Sequence, residues 1–235
     1  MPALRIIGSY LSPYVRKVLA CLDLKGLAYE IDPIVPFMGD DRFTQLSPLR
    51  RVPVLIDDQV TLADSTVICQ YLEDRYPAPA LYPADVADRA RARWLEEYAD
   101  SRMGDVLIWG LYHHAVIAPA VWGTPRDLAA IQRITTEEIP PLLDYLESQV
   151  PAEGFLFGTL GIADISIAVF LRNAAFARYK VDPTRWSLTA RYARAAASTR
   201  PSASAWPSSR SRSPTPAANP RSACERMTPE FPRAP

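Results

Sequence analysis

A switch in hydrophobic period limits the possible folds of this chain more than any other feature. Up to about residue 76, short β-branched runs alternate with helical patterns; beyond Pro83 every pattern is helical. The run ALRIIGS ends at Gly8-Ser9, and Pro13 stands at a first helical position, where its missing N–H costs nothing. Val15, Val18, Leu19 and Leu22 then recur at helical spacing until Gly26 supplies a stop, and AYEIDPIV predicts a second strand. A short irregular helix follows in MGDDRFTQLSP. VPVLID and VTLA, separated by Asp57-Asp58-Gln59, predict a hairpin, and Val67, Ile68, Tyr71 and Leu72 mark a helix that stops before Pro77. The predicted order is β-α-β-α-β-β-α, followed by helices alone.

Pro77, Pro79 and Pro83 make the connection between the halves a stiff linker, so we expect domains at 1–78 and 87–194 with a linker at 79–86. In the second domain one long pattern runs from about Ala84 to Ala118. A second, starting at Asp127, is interrupted by Pro140-Pro141, and a third, ADISIAVFLRNAAFARY over Ala163–Tyr179, is apolar nearly all round and predicts a buried central helix.

With 235 residues, 49% of them hydrophobic, the chain has ample material for a core. No run approaches a membrane span, and the N-terminus lacks a signal-peptide pattern, so a soluble cytoplasmic protein is expected. Cys21, Cys69 and Cys224 have neither disulfide-framework nor zinc-ligand spacing, and no metal is expected. The formal net charge is zero, but residues 195–235 hold six of the 26 basic residues and only Glu225 and Glu230 of the 26 acidic ones. The remainder is therefore acidic, 20 basic against 24 acidic groups, which argues against nucleic-acid binding.

Three segments carry the chemical signal: SPYVRKV at the first helix, RRVPVL before the third strand and ADST before the third helix. In order and spacing they resemble the glutathione-binding signature of cytosolic glutathione S-transferases, over roughly residues 4–194. The resemblance implies an α+β thioredoxin-like N-terminal domain followed by an all-α helical bundle. It also implies glutathione as cosubstrate, a homodimer, and attack of a glutathione thiolate on a hydrophobic electrophile, as in detoxification. A free thiol with pKa near 8.5 is only a few per cent ionised at neutral pH, so the site must stabilise the thiolate. A helix N-terminus with a nearby hydroxyl does that.

Ser12, directly before Pro13, is the first candidate for that hydroxyl, with Ser9 and Tyr10 as rivals. In serine-type transferases the catalytic serine usually falls one residue earlier, where this chain has Leu11. Ser12 instead occupies the slot of the reactive cysteine of omega-class transferases and glutaredoxins. Val52-Pro53 resembles the family's cis-proline dipeptide, whose backbone pairs with the cysteinyl part of glutathione, and Arg51 is placed to contact the glycyl end. Asp64 and Ser65 stand where the family recognises the γ-glutamyl ammonium and carboxylate. Read from the residues alone, plain helix caps remain an alternative for Ser12 and for Asp64-Ser65. Trp109, Tyr112 and His113 are candidates for the electrophile pocket, against a packing role. GTLGIADIS resembles the family's capping motif before the buried helix, with Asp164 as the acid and Gly161 where Ser or Thr is usual.

The alternative functions are a noncatalytic glutathione-binding or structural relative, and a glutathione-dependent isomerase or peroxidase. From Ala195 the chain contains no Leu, Ile, Val or Gly and holds eight of the 23 prolines, so disorder is expected there, with a frameshift as the favoured cause. Loss of the family's closing helices would then expose Ile165, Val169 and Leu171 on the central helix.

Overall fold

A computed structural model describes residues 4–34 and 41–198. In chain order its elements are β1 (Leu4–Ile7), α1 (Pro13–Leu24), β2 (Tyr29–Asp32), α2 (Asp41–Leu46), β3 (Val54–Ile56), β4 (Thr61–Leu62) and α3 (Ser65–Arg75). Then come α4 (Val86–Tyr98), α5 (Leu128–Arg133), α6 (Ile139–Gln149), α7 (Ile162–Phe176) and α8 (Ser187–Ser198). The sheet order is β2-β1-β3-β4, with β1 parallel to β2 and antiparallel to β3, and β3 antiparallel to β4. This is the predicted thioredoxin-like mixed sheet, followed by a helical region.

β1 lies inside the sheet, and Leu4, Ile6 and Ile7 are all buried while Arg5 points out to solvent. Its register decides where the loops go. Ile7 pairs with Val54 and Leu55 with Leu62, so the loop after β1, the Val52-Pro53 segment before β3 and the Asp64-Ser65 segment after β4 all gather at one end of the sheet. At that end Gly8 (φ +149) lets the backbones converge: a Cβ there would stand 2.5 Å from Val15 Cγ2 and 3.2 Å from Val52 Cβ.

The helical half departs from expectation in three places. α4 continues without a break into a wider-wound helix, Ala99–Trp122, whose N–H groups bond five residues back rather than four and which is closed by Gly123 in the left-handed conformation. Pro140-Pro141 does not interrupt the next pattern. Both prolines fall in the first turn of α6, where no N–H is required, and the break comes earlier, at a widened turn over Ile134–Glu138. α8 runs to Ser198, past the expected Arg194 boundary; the remainder of the tail, with Cys224, lies outside the described residues.

α7 is the central helix, packed on α1, α4, α8 and the wide helix. Ile165 and Leu171 are buried and Val169 is half-buried, so the apolar face expected to be exposed is largely covered. At its start Asp164, fully buried, accepts N–H bonds from Gly161 (2.9 Å) and Leu156 (3.0 Å) and the Tyr192 hydroxyl of α8 (2.6 Å). The absence of Ser or Thr at 161 has a steric reason: a Cβ there would come within 2.8 Å of the Leu81 carbonyl, which itself accepts the Ile162 N–H. Among the described residues no helix is long and apolar enough to cross a membrane.

Candidate functional site

The convergent sheet end carries two helix N-termini. Ser12 caps α1 from extended backbone (φ −74, ψ 128), its Oγ accepting the Val15 N–H at 3.4 Å. A serine hydroxyl has one proton and two acceptor positions, so this capping role leaves the proton to be donated. Pro13 at the next position brings no N–H of its own and starts the helix at a preset φ. Ser9 Oγ accepts the Leu11 N–H at 3.3 Å, while its carbonyl accepts the Ser12 N–H at 3.0 Å, which folds residues 9–12 into a tight turn. Tyr10 packs against the core. Burial and the charge of Asp23, near the far end of α1, push its phenol pKa up, which makes it a poor match for an acidic donor at the helix start.

The second N-terminus belongs to α3. Asp64 Oδ1 accepts the Thr66 and Val67 N–H groups at 2.9 and 3.0 Å, so the carboxylate is a helix cap with Oδ2 to spare. Ser65, the first residue of the helix, is buried. Between the two N-termini lies Val52-Pro53, whose peptide bond is cis, with Val52 buried against Gly8. Ser47, fully buried, fixes the preceding residue: its hydroxyl donates to the Arg51 carbonyl and accepts the Arg51 N–H, both at 2.9 Å. The Arg51 side chain is exposed.

The three pocket candidates are not brought together equally. Tyr112 is buried and within the electrostatic reach of Arg16; burial raises its pKa and the guanidinium opposes the rise. Trp109 is 49% exposed. His113 packs on His114 and Trp122, at ring separations of 5.0 and 5.3 Å, and burial followed by His114 lowers its pKa.

Two buried cations of α1, absent from the sequence reading, organise the site from beneath. Lys17 Nζ reaches Glu96 (3.0 Å), Asp100 and Thr66 Oγ1 (3.0 Å), and Thr66 in turn donates to Asp100 at 2.8 Å, so α1, the start of α3 and the long helix are joined next to Ser65. Burial alone would lower the Lys17 pKa; the two carboxylates outweigh it and hold the ammonium charged. Arg16 donates to the Tyr10 and Leu11 carbonyls at 2.8 and 3.1 Å. Tyr14, half-buried, donates to the Asp100 carbonyl at 3.0 Å, and burial pushes its pKa up to about 12. A signal for these cations does exist in the sequence. Arg16-Lys17 interrupts an otherwise apolar helix face, and a charge on such a face requires a partner.

Residues 6–80 match the family description of glutathione S-transferase N-terminal domains. An uncharacterized GST-like protein, YibF, of Escherichia coli (strain K12) is 32% identical over 176 residues, which cover 74% of this chain and 84% of that one. This chain belongs to the cytosolic glutathione S-transferase family. Among solved structures, a glutathione S-transferase from Rhodospirillum rubrum F11 superposes with a TM-score of 0.77 at 26% identity, covering 84% of this chain and 89% of that one. Maleyl Pyruvate Isomerase, a bacterial glutathione S-transferase of the zeta class, superposes with a TM-score of 0.66 at 27% identity over 82% and 91% of the two chains. Transferases of this family bind glutathione.

Proposed function

We propose that this transferase binds glutathione across the two helix N-termini and directs its thiolate at a hydrophobic electrophile. The observation that carries the reading is Ser12 at the α1 N-terminus, its oxygen engaged by Val15 N–H and its proton left to donate. The helix end supplies partial positive charge and the hydroxyl one hydrogen bond, and both favour the ionised thiol. Val52 would pair with the cysteinyl backbone and Pro53 hold that turn, while Arg51 meets the glycyl carboxylate. The free Oδ2 of Asp64 would take the ammonium, with Ser65 on the α-carboxylate. Tyr112, Trp109 and His113 are assigned to the electrophile side. On the family resemblance we also propose a cytoplasmic homodimer, with the glutathione domain over residues 1–78 and the helical domain over 87–194.

Ser12→Ala tests the reading. If the hydroxyl supplies about 1.4 kcal/mol to the thiolate, conjugation of an activated haloarene falls roughly tenfold while glutathione affinity holds. An unchanged rate with an unchanged thiol pKa rules Ser12 out. Glutathione-dependent isomerisation is the second reading, supported by the likeness to Maleyl Pyruvate Isomerase. It begins with the same thiolate, and it is separated by a product that carries no sulfur.

A further inference from the structure

Arg16 is 5% exposed, and its guanidinium bonds tie the turn before α1 to α7. One terminal nitrogen donates to the Tyr10 and Leu11 carbonyls. The other donates to the Val169 carbonyl at 2.9 Å and to the Asn173 side-chain oxygen, both on α7. Asn173, also fully buried, returns a bond from its Nδ2 to the same Leu11 carbonyl at 3.2 Å. The Leu11–Ser12 peptide plane is therefore fixed at both ends: its carbonyl is taken by Arg16 and Asn173, and its N–H by the Ser9 carbonyl at 3.0 Å. Because a peptide group is planar, fixing both ends fixes the orientation of the Ser12 Cα and so the direction in which its hydroxyl leaves the backbone. The same bonds tie down and neutralise two carbonyl oxygens, the negative ends of their peptide dipoles, that would otherwise oppose a thiolate.

We infer that Arg16 and Asn173 act together as positioning residues for thiolate formation, by which the helical region, through α7, sets the orientation of the Ser12 turn. This rests on the proposed glutathione chemistry for its consequence, but its geometry is independent of any electrophile. A lysine at 16 cannot replace the planar fork that reaches three carbonyls and an amide. An alanine at 173 removes an acceptor from Arg16 and a donor from Leu11 while leaving the guanidinium in place.

The test uses Asn173→Ala and Arg16→Lys in the full chain, with two readouts. The first is hydrogen exchange of the segment containing residues 9–12. The second is the pKa of the bound glutathione thiol, followed by thiolate absorbance against pH. Both variants are expected to exchange faster in that segment and to raise the thiol pKa by about one unit. Conjugation then slows about tenfold at neutral pH and recovers above the raised pKa, with the KM for glutathione within about twofold. A purely structural role predicts something else: a lower melting temperature with unchanged segment exchange and unchanged thiol pKa, and that result overturns the inference. If the wild type transfers glutathione to no electrophile while segment exchange and thiol pKa respond as described, the positioning role stands and the proposed transfer falls.

Discussion

At the residue scale, the site depends on which polar groups are already engaged by the fold. The sequence places Ser12 first among the hydroxyls, directly before Pro13, with Ser9 and Tyr10 as rivals. In the structure Ser12 sits at the helix end, Ser9 holds the turn, and Tyr10 has its pKa raised by burial and Asp23. Asp64 and Ser65 separate in the same way. The carboxylate caps α3, whereas among the described residues no hydrogen bond engages the Ser65 hydroxyl, although the residue is buried. Ser65→Ala should therefore leave stability close to wild type and weaken glutathione binding about tenfold, the loss of one hydrogen bond to a charged carboxylate. Calorimetric titration reads this directly, and equal affinities in the two proteins would remove Ser65 from the binding site.

At the element scale, the start of α8 is capped by a side chain of α6. Glu147 accepts the Leu188 and Thr189 N–H groups at 2.9 and 2.8 Å and the Thr189 hydroxyl at 2.7 Å, capping the helix from a neighbour. Burial pushes its pKa up, but these donors outweigh burial and hold the carboxyl below the usual glutamate range. A depressed folded pKa stabilises the fold above the unfolded value and loses that contribution as pH falls through the folded one. Acidification below about pH 4.3 should accordingly loosen α8 before the sheet unfolds. Glu147→Gln should show the looser helix already at neutral pH and lose the acid step. Amide exchange in residues 187–198 as a function of pH is the measurement, and protection that is the same at pH 3 and pH 7 contradicts the assignment.

At the scale of the whole molecule, the sheet half and the helical half are joined by buried charge rather than by the proline-rich connection alone. Lys17 is fully buried, with Glu96 also buried and Asp100 nearly so. Removing the cation leaves two carboxylates facing each other without compensation, and the Glu96 pKa is already raised by burial. Lys17→Met should cost about 3–5 kcal/mol in denaturant unfolding. Adding Glu96→Gln should restore part of that loss; a single variant as stable as the wild type would show that the network contributes nothing. The proposed homodimer belongs to this scale as well. Val67 on α3 and Trp94 on α4 are exposed apolar side chains, 46% and 56% accessible. Light scattering is expected to give twice the chain mass at micromolar concentration, and a monomer throughout would contradict it.

What the sequence determined by itself was local. The strand and helix order, the start of α1 at Pro13, the hairpin after Val54 and the order of the three signature segments all follow from hydrophobic period and from Pro and Gly, whose constraints act within a few residues. The misplaced break at Pro140-Pro141 came from the same local reasoning, because a proline in a first turn and one in mid-helix look alike until the helix start is known. Tertiary structure alone decided the rest. The long-range partners of Arg16 lie on α7 and those of Lys17 on α3, α4 and the wide helix, Gly161 answers to the Leu81 carbonyl, and the three signature segments meet only because Ile7 pairs with Val54 and Leu55 with Leu62. A sequence pattern shows that a buried charge needs a partner. Which group fills that role depends on distances that exist only after the chain has folded.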